Sequence, residues 1–203
     1  MKILLTTLNS KYVHSNLALK YLYTVVAGEN SHVEVREFTI NNDPGYIFSE
    51  LVRANYDMVC FSCYIWNIEQ IKVLARDLKE ARPEMKILAG GPEVSFDGPE
   101  FMKENFWADY IICGEGEYPF YRLCQVLESP DRRFDTVPGL IYRQDGKIYV
   151  NALLEPMDFN LIPFPYSILD CGDDRVVYYE SSRGCPFRCS YCLSSTETSV
   201  RFL

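Results

Sequence analysis

The first 129 residues alternate short apolar runs with stretches of helical periodicity, and this alternation limits the possible folds most strongly. Each of five apolar runs precedes a segment with apolar residues three and four positions apart, which predicts five strand–helix units. Such units build a parallel sheet with helices on both faces. We therefore predict an α/β fold with a doubly wound, flavodoxin-like sheet of five strands in the order 2-1-3-4-5. The predicted strands are Lys2 to Leu8, Val33 to Ile40, Met58 to Tyr64, Lys86 to Ala89 and Tyr110 to Cys113.

The alternation ends near residue 129. Residues 139–150 predict a β-hairpin, because Asp145-Gly146 is a favoured turn pair between two apolar runs. Three prolines between residues 156 and 165 predict an extended linker, followed by one more strand over Arg175 to Glu180. The predicted regions are an α/β domain over 1–129, a hairpin connector with a proline-rich linker over 130–174, and the start of a second domain over 175–203.

Three of the eight cysteines lie close together near the end of the chain. Cys185, Cys189 and Cys192 have the spacing C-x3-C-x2-C, with no fourth cysteine in register. Four thiolates normally hold an iron-sulfur cluster, so three leave one iron open to a chelating molecule. The alternative is a zinc site that a distant histidine, His14 or His32, completes.

The run from Ser182 to Cys192, Ser-Arg-Gly-Cys-Pro-Phe-Arg-Cys-Ser-Tyr-Cys, resembles the radical S-adenosylmethionine superfamily. In that superfamily three cysteines hold a 4Fe-4S cluster, S-adenosylmethionine binds the open iron, and the aromatic residue before the last cysteine packs near the adenine. The resemblance therefore implies a 4Fe-4S cluster on Cys185, Cys189 and Cys192, with Tyr191 beside S-adenosylmethionine. It also implies that residues 175–203 begin a radical S-adenosylmethionine barrel.

The loops at the carboxyl ends of the predicted strands are the candidate binding site, because ligands of doubly wound sheets lie there. Glycines allow a ligand or a backbone to approach closely, amide and hydroxyl groups offer hydrogen bonds, and aromatic rings offer flat apolar surface. Glu115 and Glu117 also suit a helix N-terminus. The candidate cofactor-binding residues are Asn9, Ser10, Ser62, Tyr64, Trp66, Asn67, Gly90, Gly91, Pro92, Glu93, Gly114, Glu115, Gly116 and Glu117.

The loops exclude two common functions of this fold. A flavin phosphate loop needs glycine after strand one, and this loop contains none. A receiver domain needs an aspartate at the end of strand three, where this chain has Cys60 to Cys63. Alternation along a strand makes those two cysteines buried hydrophobes rather than ligands. The loops resemble instead the cobalamin-binding domain, a family with Ser-x-Leu after strand three and Gly-Gly after strand four. In this chain Ser62-x-Tyr64 precedes Gly90-Gly91 by 28 positions.

The chain departs from that family in one respect. It lacks the Asp-x-His-x-x-Gly motif whose histidine binds cobalt, and His14 has neither the aspartate nor the glycine. His14 is therefore either a polar residue at a helix start or a cobalt ligand. A cobalamin-like domain without this motif, followed by the cysteine motif, resembles cobalamin-dependent radical S-adenosylmethionine enzymes, which include methyltransferases and the anaerobic magnesium-protoporphyrin monomethyl ester cyclase.

This resemblance implies that the chain is the N-terminal part of a longer enzyme whose cofactors are cobalamin, S-adenosylmethionine and a 4Fe-4S cluster. We expect this part alone to be inactive. Two alternatives stay open. A methylthiotransferase joins a similar domain to the same cysteine motif, but it needs a second cluster on N-terminal cysteines, and the loop after strand one is Leu8-Asn9-Ser10. A corrinoid-binding module without chemistry is the other alternative.

Charge and hydropathy limit the partners. A net charge of −8 argues against a nucleic-acid surface, and no apolar run reaches the roughly 20 residues of a membrane helix. The N-terminus carries no export signal, so we expect a cytoplasmic protein. The expected partners are a small-molecule substrate and, for the longer enzyme, a reductant such as flavodoxin or ferredoxin.

Overall fold

The computed structural model describes residues 1–28, 32–169, 174–196 and 199–203. Residues 170–173 of the predicted linker lie outside this description. A seven-stranded sheet is the centre of the fold, in the order β2-β1-β3-β4-β5-β6-β7. Its strands are β1 Lys2–Asn9, β2 His32–Thr39, β3 Met58–Ser62, β4 Lys86–Gly90, β5 Tyr110–Ile112, β6 Leu140–Gln144 and β7 Lys147–Val150.

The first five strands are parallel, in the predicted order 2-1-3-4-5. Strands β1 and β3 are almost wholly buried, as expected of parallel strands covered on both faces. The doubly wound fold is therefore confirmed. The helices that connect and cover these strands are α1 Leu17–Val26, α2 Pro44–Arg53, α3 Ile68–Ala81, α4 Pro92–Ser95, α5 Gly98–Glu104 and α6 Glu117–Glu128.

The helices divide between the two faces of the sheet and form two cores. Helices α1 and α6 pack over Ile3, Leu5 and Cys60 on one face. Helices α2, α3 and α5 pack over Leu4, Val59 and Phe61 on the other face. The register of a strand alternates its side chains between faces, so Cys60 and Cys63 lie in different cores as buried thiols, as predicted.

The predicted hairpin forms, but it belongs to the sheet. Asp145 and Gly146 take the positive φ values of its turn, 50° and 72°, which favour Gly and Asp. Strand β6 pairs antiparallel with β5, and β7 pairs antiparallel with β6. The sheet consequently has seven strands rather than the five predicted.

The predicted strand over Arg175 to Glu180 is wrong. The described residues 174–181 form no ladder. The backbone of Val176 makes two bonds to the loop after β1: its amide donates to the Val13 carbonyl oxygen at 2.8 Å, and its carbonyl oxygen accepts from Ser15 Oγ at 3.4 Å. A short antiparallel pair follows instead, β8 Ser182–Arg183 with β9 Arg201–Phe202. We call residues 174–184 the tail segment, since they run back over the carboxyl edge of the sheet.

Within the described part of the chain, no helix has the length and apolar character to cross a membrane.

Candidate functional site

Three adjoining hollows occupy the carboxyl edge of the sheet, all of them bordered by Ala18 and Tyr64. The outer cleft, about 340 Å³, lies between the loop after β1, Tyr64, Trp66 and the tail segment. The inner slot, about 130 Å³, enters between α1 and the ends of β3, β4 and β5. The tail cavity, about 700 Å³, lies between α1, residues 114–117 and the tail segment. Residues from the loops after β1, β3, β4 and β5 line these hollows.

A buried hydrogen-bond network fixes the loop after β3. Asn67 is fully buried, and its side-chain nitrogen donates to Thr7 Oγ1 and the carbonyl oxygens of Leu8 and Ser62, each at 3.1 Å. Its side-chain oxygen accepts from the Tyr64 amide at 2.7 Å. Asn67, predicted to bind the cofactor, therefore braces the loop and borders none of the three hollows.

The loop after β1 is fixed by Asn16 and Asn9. Asn16 caps α1 by accepting from the Leu19 amide, and its side-chain nitrogen reaches the Ser62 and Tyr64 hydroxyls at 3.4 Å. The Asn9 side chain donates to the His14 carbonyl oxygen at 3.0 Å. This arrangement holds Asn9, Ser10 and Asn16 in the wall of the outer cleft. Sequence reasoning missed Asn16, although asparagine before an apolar-periodic segment is a signal for a helix cap.

Tyr64 and Trp66 give the outer cleft a flat apolar wall. Their rings stack with centroids 4.6 Å apart and an angle of 4° between planes, and 46% of Trp66 remains exposed. Tyr178 and Tyr179 of the tail segment face the same cleft. A planar ligand can therefore contact aromatic surface here.

The inner slot is lined by glycines and apolar side chains. Gly90, Gly91, Gly114 and Gly116 leave its wall without bulk, and Leu19, Leu22, Leu88 and Ile112 make it apolar. Gly91 has a φ of 102°, and a Cβ there would lie 2.5 Å from the Cys63 carbonyl oxygen. The slot is thus shaped for a flat apolar group. Pro92 and Glu93, also predicted to bind, start α4 and border none of the hollows.

His14 lies in the outer cleft beside the tail segment. Its Nδ1 and the Tyr178 hydroxyl are 2.5 Å apart, and its carbonyl oxygen accepts from Arg175 at 3.1 Å. One ring nitrogen of His14 is therefore hydrogen-bonded to the tail segment.

Glu115 and Glu117 form ion pairs with arginines of the tail segment and of β9. Glu117 Oε1 is 2.5 Å from Arg183 Nη2, and Glu115 pairs with both Arg183 and Arg201. Burial opposes the charge of Glu115, but hydrogen bonding from Arg201 and the two positive charges prevail, so its pKa is lowered. Glu117 begins α6 without capping it through its side chain.

The three motif cysteines are half-buried, and the Cys192 amide donates to the Cys189 carbonyl oxygen at 3.2 Å. Among the described residues, no three His, Cys, Asp or Glu side chains converge on a common metal position. Tyr191 is 90% exposed. The donor set suits an iron-sulfur cluster, but this arrangement does not gather it, so the metal site stays a prediction from the sequence.

A family model for the B12 binding domain matches residues 3–124, more than half of the chain. The chain belongs to the B12-binding domain family. The matched range includes the five parallel strands, apart from Lys2 at the start of β1, and every loop that lines the inner slot.

Curated relatives of this B12-binding domain include a radical SAM methyltransferase and a magnesium-protoporphyrin cyclase. It is 30% identical over 148 residues to the "Cobalamin-dependent radical SAM methyltransferase TokK" of Streptomyces tokunonensis, covering 67% of this chain and 22% of that protein. It is 31% identical over 125 residues to the "Anaerobic magnesium-protoporphyrin IX monomethyl ester cyclase" of Rubrivivax gelatinosus, covering 56% of this chain and 22% of that protein. The chain thus spans about a fifth of the length of these relatives.

Solved structures agree in fold. The cobalamin-dependent S-adenosylmethionine radical enzyme OxsB, solved with aqua-cobalamin bound, superposes with a TM-score of 0.77 at 20% identity, over 100% of this chain and 30% of that one. The radical S-adenosylmethionine methyltransferase TsrM from Kitasatospora setae, solved with cobalamin and a [4Fe-4S] cluster, gives 0.71 at 17% identity, over 99% and 43%. The chain therefore has the fold of the corresponding part of both enzymes.

Proposed function

We propose that the outer cleft and inner slot bind cobalamin, and that this chain is the cobalamin-binding N-terminal part of a radical S-adenosylmethionine enzyme. One observation carries the proposal. In a chain that matches the B12 binding domain, a glycine-lined apolar slot opens into an aromatic cleft at the carboxyl edge of the sheet. The strand order changes direction between β1 and β3, and ligands of doubly wound sheets bind at such a point.

The residues divide the work of binding. The inner slot takes the flat aromatic base of the nucleotide tail, because Gly90, Gly114 and Gly116 leave room and the surrounding leucines exclude water. Tyr64 and Trp66 would contact the corrin in the outer cleft, where Asn16 offers hydrogen bonds to its amide groups. Ser62 would offer its hydroxyl in the inner slot. When bound, cobalamin supplies a cobalt that carries a methyl group or electrons.

The cysteine motif extends the proposal to the longer protein. Cys185, Cys189 and Cys192 supply three thiolates for a 4Fe-4S cluster that binds S-adenosylmethionine, with Tyr191 near its adenine. The longer protein then catalyses methyl transfer or oxidative cyclisation on a small molecule, with electrons from flavodoxin or ferredoxin, in the cytoplasm. The names of the relatives support both reactions, and this chain alone is expected to be inactive.

Anaerobic reconstitution with hydroxocobalamin, followed by gel filtration, tests cobalamin binding. The protein peak should carry corrin absorbance at about one equivalent. Trp66→Ala should raise the Kd about tenfold, the effect of losing roughly 1.4 kcal/mol of aromatic contact. Phe106→Ala is the matched control, since Phe106 is an exposed aromatic residue outside the three hollows. A protein peak without corrin absorbance would refute the proposal.

The spectrum of bound cobalamin also tests His14. Because Tyr178 engages the His14 ring, we expect His14→Ala and wild type to give the same cobalt spectrum at neutral and low pH. A spectrum that changes with His14→Ala would identify His14 as a cobalt ligand.

A further inference from the structure

We propose that Glu115 and Glu117 are positioning residues that fix the cysteine motif onto the B12-binding domain by clamping Arg183 and Arg201. The sequence predicts these carboxylates as cofactor contacts, and in the structure they form ion pairs with Arg183 of the tail segment and Arg201 of β9. The purpose of the clamp rests on the proposed function, whereas its existence can be tested without any cofactor.

Arg183 is the centre of the clamp. Its side chain is 11% exposed and that of Glu117 is 10% exposed, so water screens this pair far less than it screens a surface pair. Arg183 also meets Glu115 at 3.3 Å and Glu180 at 3.0 Å, and its guanidinium lies 5.4 Å from the Tyr21 ring centroid. Loss of one acidic partner therefore leaves a partly buried charge short of a counter-charge.

Arg201, on the paired strand β9, forms a similar ion pair with Glu115. Arg183 and Arg201 face each other in the register of β8 and β9, and Glu115 pairs with both. Arg201 also donates to the Met157 carbonyl oxygen at 2.6 Å. One loop between β5 and α6 thus holds both strands that flank the cysteine motif.

The clamp acts directly on the motif because Arg183 is two residues before Cys185. Two residues place their Cα atoms within about 7.6 Å of each other. Gly184 between them has a φ of 89°, and a Cβ there would collide with the Ser199 carbonyl oxygen. The turn is therefore packed against the chain before β9, so a displacement of Arg183 displaces Cys185.

Hydrogen exchange on the full chain, read by mass spectrometry, tests the clamp. Glu117→Gln should speed exchange of the β8 and β9 amides, and of the Leu203 amide bonded to Ser181, about tenfold or more. Amides of β3 and β4 should keep their wild-type rates. Glu100→Gln, which breaks an exposed pair with Lys103, is the matched control and should leave the β8 and β9 amides at wild-type rates.

Rescue and cobalamin retention complete the test. The exchange of charges in Glu117→Arg with Arg183→Glu should restore part of the protection that either single variant loses. Equal exchange in Glu117→Gln and Glu100→Gln, or faster exchange throughout the sheet, would overturn the clamp. Glu117 also borders the inner slot, so hydroxocobalamin retention is measured on the same variant: lost retention with unchanged exchange would make Glu117 a cofactor contact and overturn the clamp. Lack of retention in wild type would refute only the proposed function.

Discussion

The contact between Gly91 and Cys63 gives the sharpest prediction. Gly91 follows β4 with a φ of 102°, and its lack of a side chain lets it approach the backbone of Cys63. A Cβ atom at Gly91 would lie 2.5 Å from the Cys63 carbonyl oxygen and 3.1 Å from the Cys63 nitrogen. The two strand ends cannot separate freely, because the Cys63 amide donates to the Gly90 carbonyl oxygen at 2.8 Å. Gly91→Ala must therefore strain the backbone and also displace it.

The two costs can be separated with a matched variant. A non-glycine residue at positive φ costs about 1–2 kcal/mol, and forcing a methyl group into packed structure costs about 1–3 kcal/mol more. Gly28 has a φ of 98° with open space around its Cβ position. Gly28→Ala should therefore lower the free energy of unfolding by about 1–2 kcal/mol, and Gly91→Ala by about 2–5 kcal/mol.

Urea unfolding followed by far-ultraviolet circular dichroism measures both values. Each kcal/mol should also lower Tm by about 2–4 °C in a chain of this size. Gly91→Ala should in addition weaken hydroxocobalamin retention, because Gly91 lines the inner slot and Gly28 does not. Equal losses of stability for the two variants would refute the reasoning, since the close contact with Cys63 would then carry no cost.

Three further predictions concern stability. Burial raises the pKa of Cys63 from 9.0 and of Tyr110 from 10.0 to about 12, so the unfolded chain loses these protons first as the pH rises. Urea midpoints should be constant between about pH 7 and about pH 8 and should fall from about pH 9 upward, whereas the same midpoint at about pH 8 and at about pH 10.5 contradicts this. Asp109→Asn should cost about 2 kcal/mol in urea unfolding, because Lys79, only 16% exposed, loses its partner at 2.6 Å; a cost below about 0.5 kcal/mol would place the pair with ordinary surface pairs. Asn67→Ala should cost about 2–3 kcal/mol and weaken cobalamin retention, because the Tyr64 amide and the Leu8 carbonyl oxygen lose the hydrogen bonds that Asn67 makes to them; wild-type stability would show that the loop needs no brace.

The sequence was sufficient for the parallel part of the fold. Apolar runs and helical periodicity are local signals, and they located β1 to β5, the main helices and the carboxyl edge where the hollows lie. The hairpin was also predictable, because the Asp145-Gly146 turn is a property of two adjacent residues. Local physics therefore determines these elements.

Contacts between distant residues account for what the sequence did not predict. Val176, Val177, Tyr178 and Tyr179 have the composition of a strand, but the described structure gives them no neighbouring strand, and they are largely exposed. The role of Glu117 depends on Arg183, 66 residues away in the chain. Such pairings depend on which distant segments the fold brings together, and local sequence patterns do not predict this.

The hairpin that completes the sheet has a consequence for cutting the chain. The match to the B12 binding domain ends at residue 124, yet Val137 and Leu140 beyond it are fully buried, and β6 covers the hydrogen-bonding edge of β5. A polypeptide that stops at residue 129 would present that edge to other molecules, a common route to aggregation. The smallest soluble piece should therefore end after Ala152, whose carbonyl oxygen accepts from the Gly139 amide.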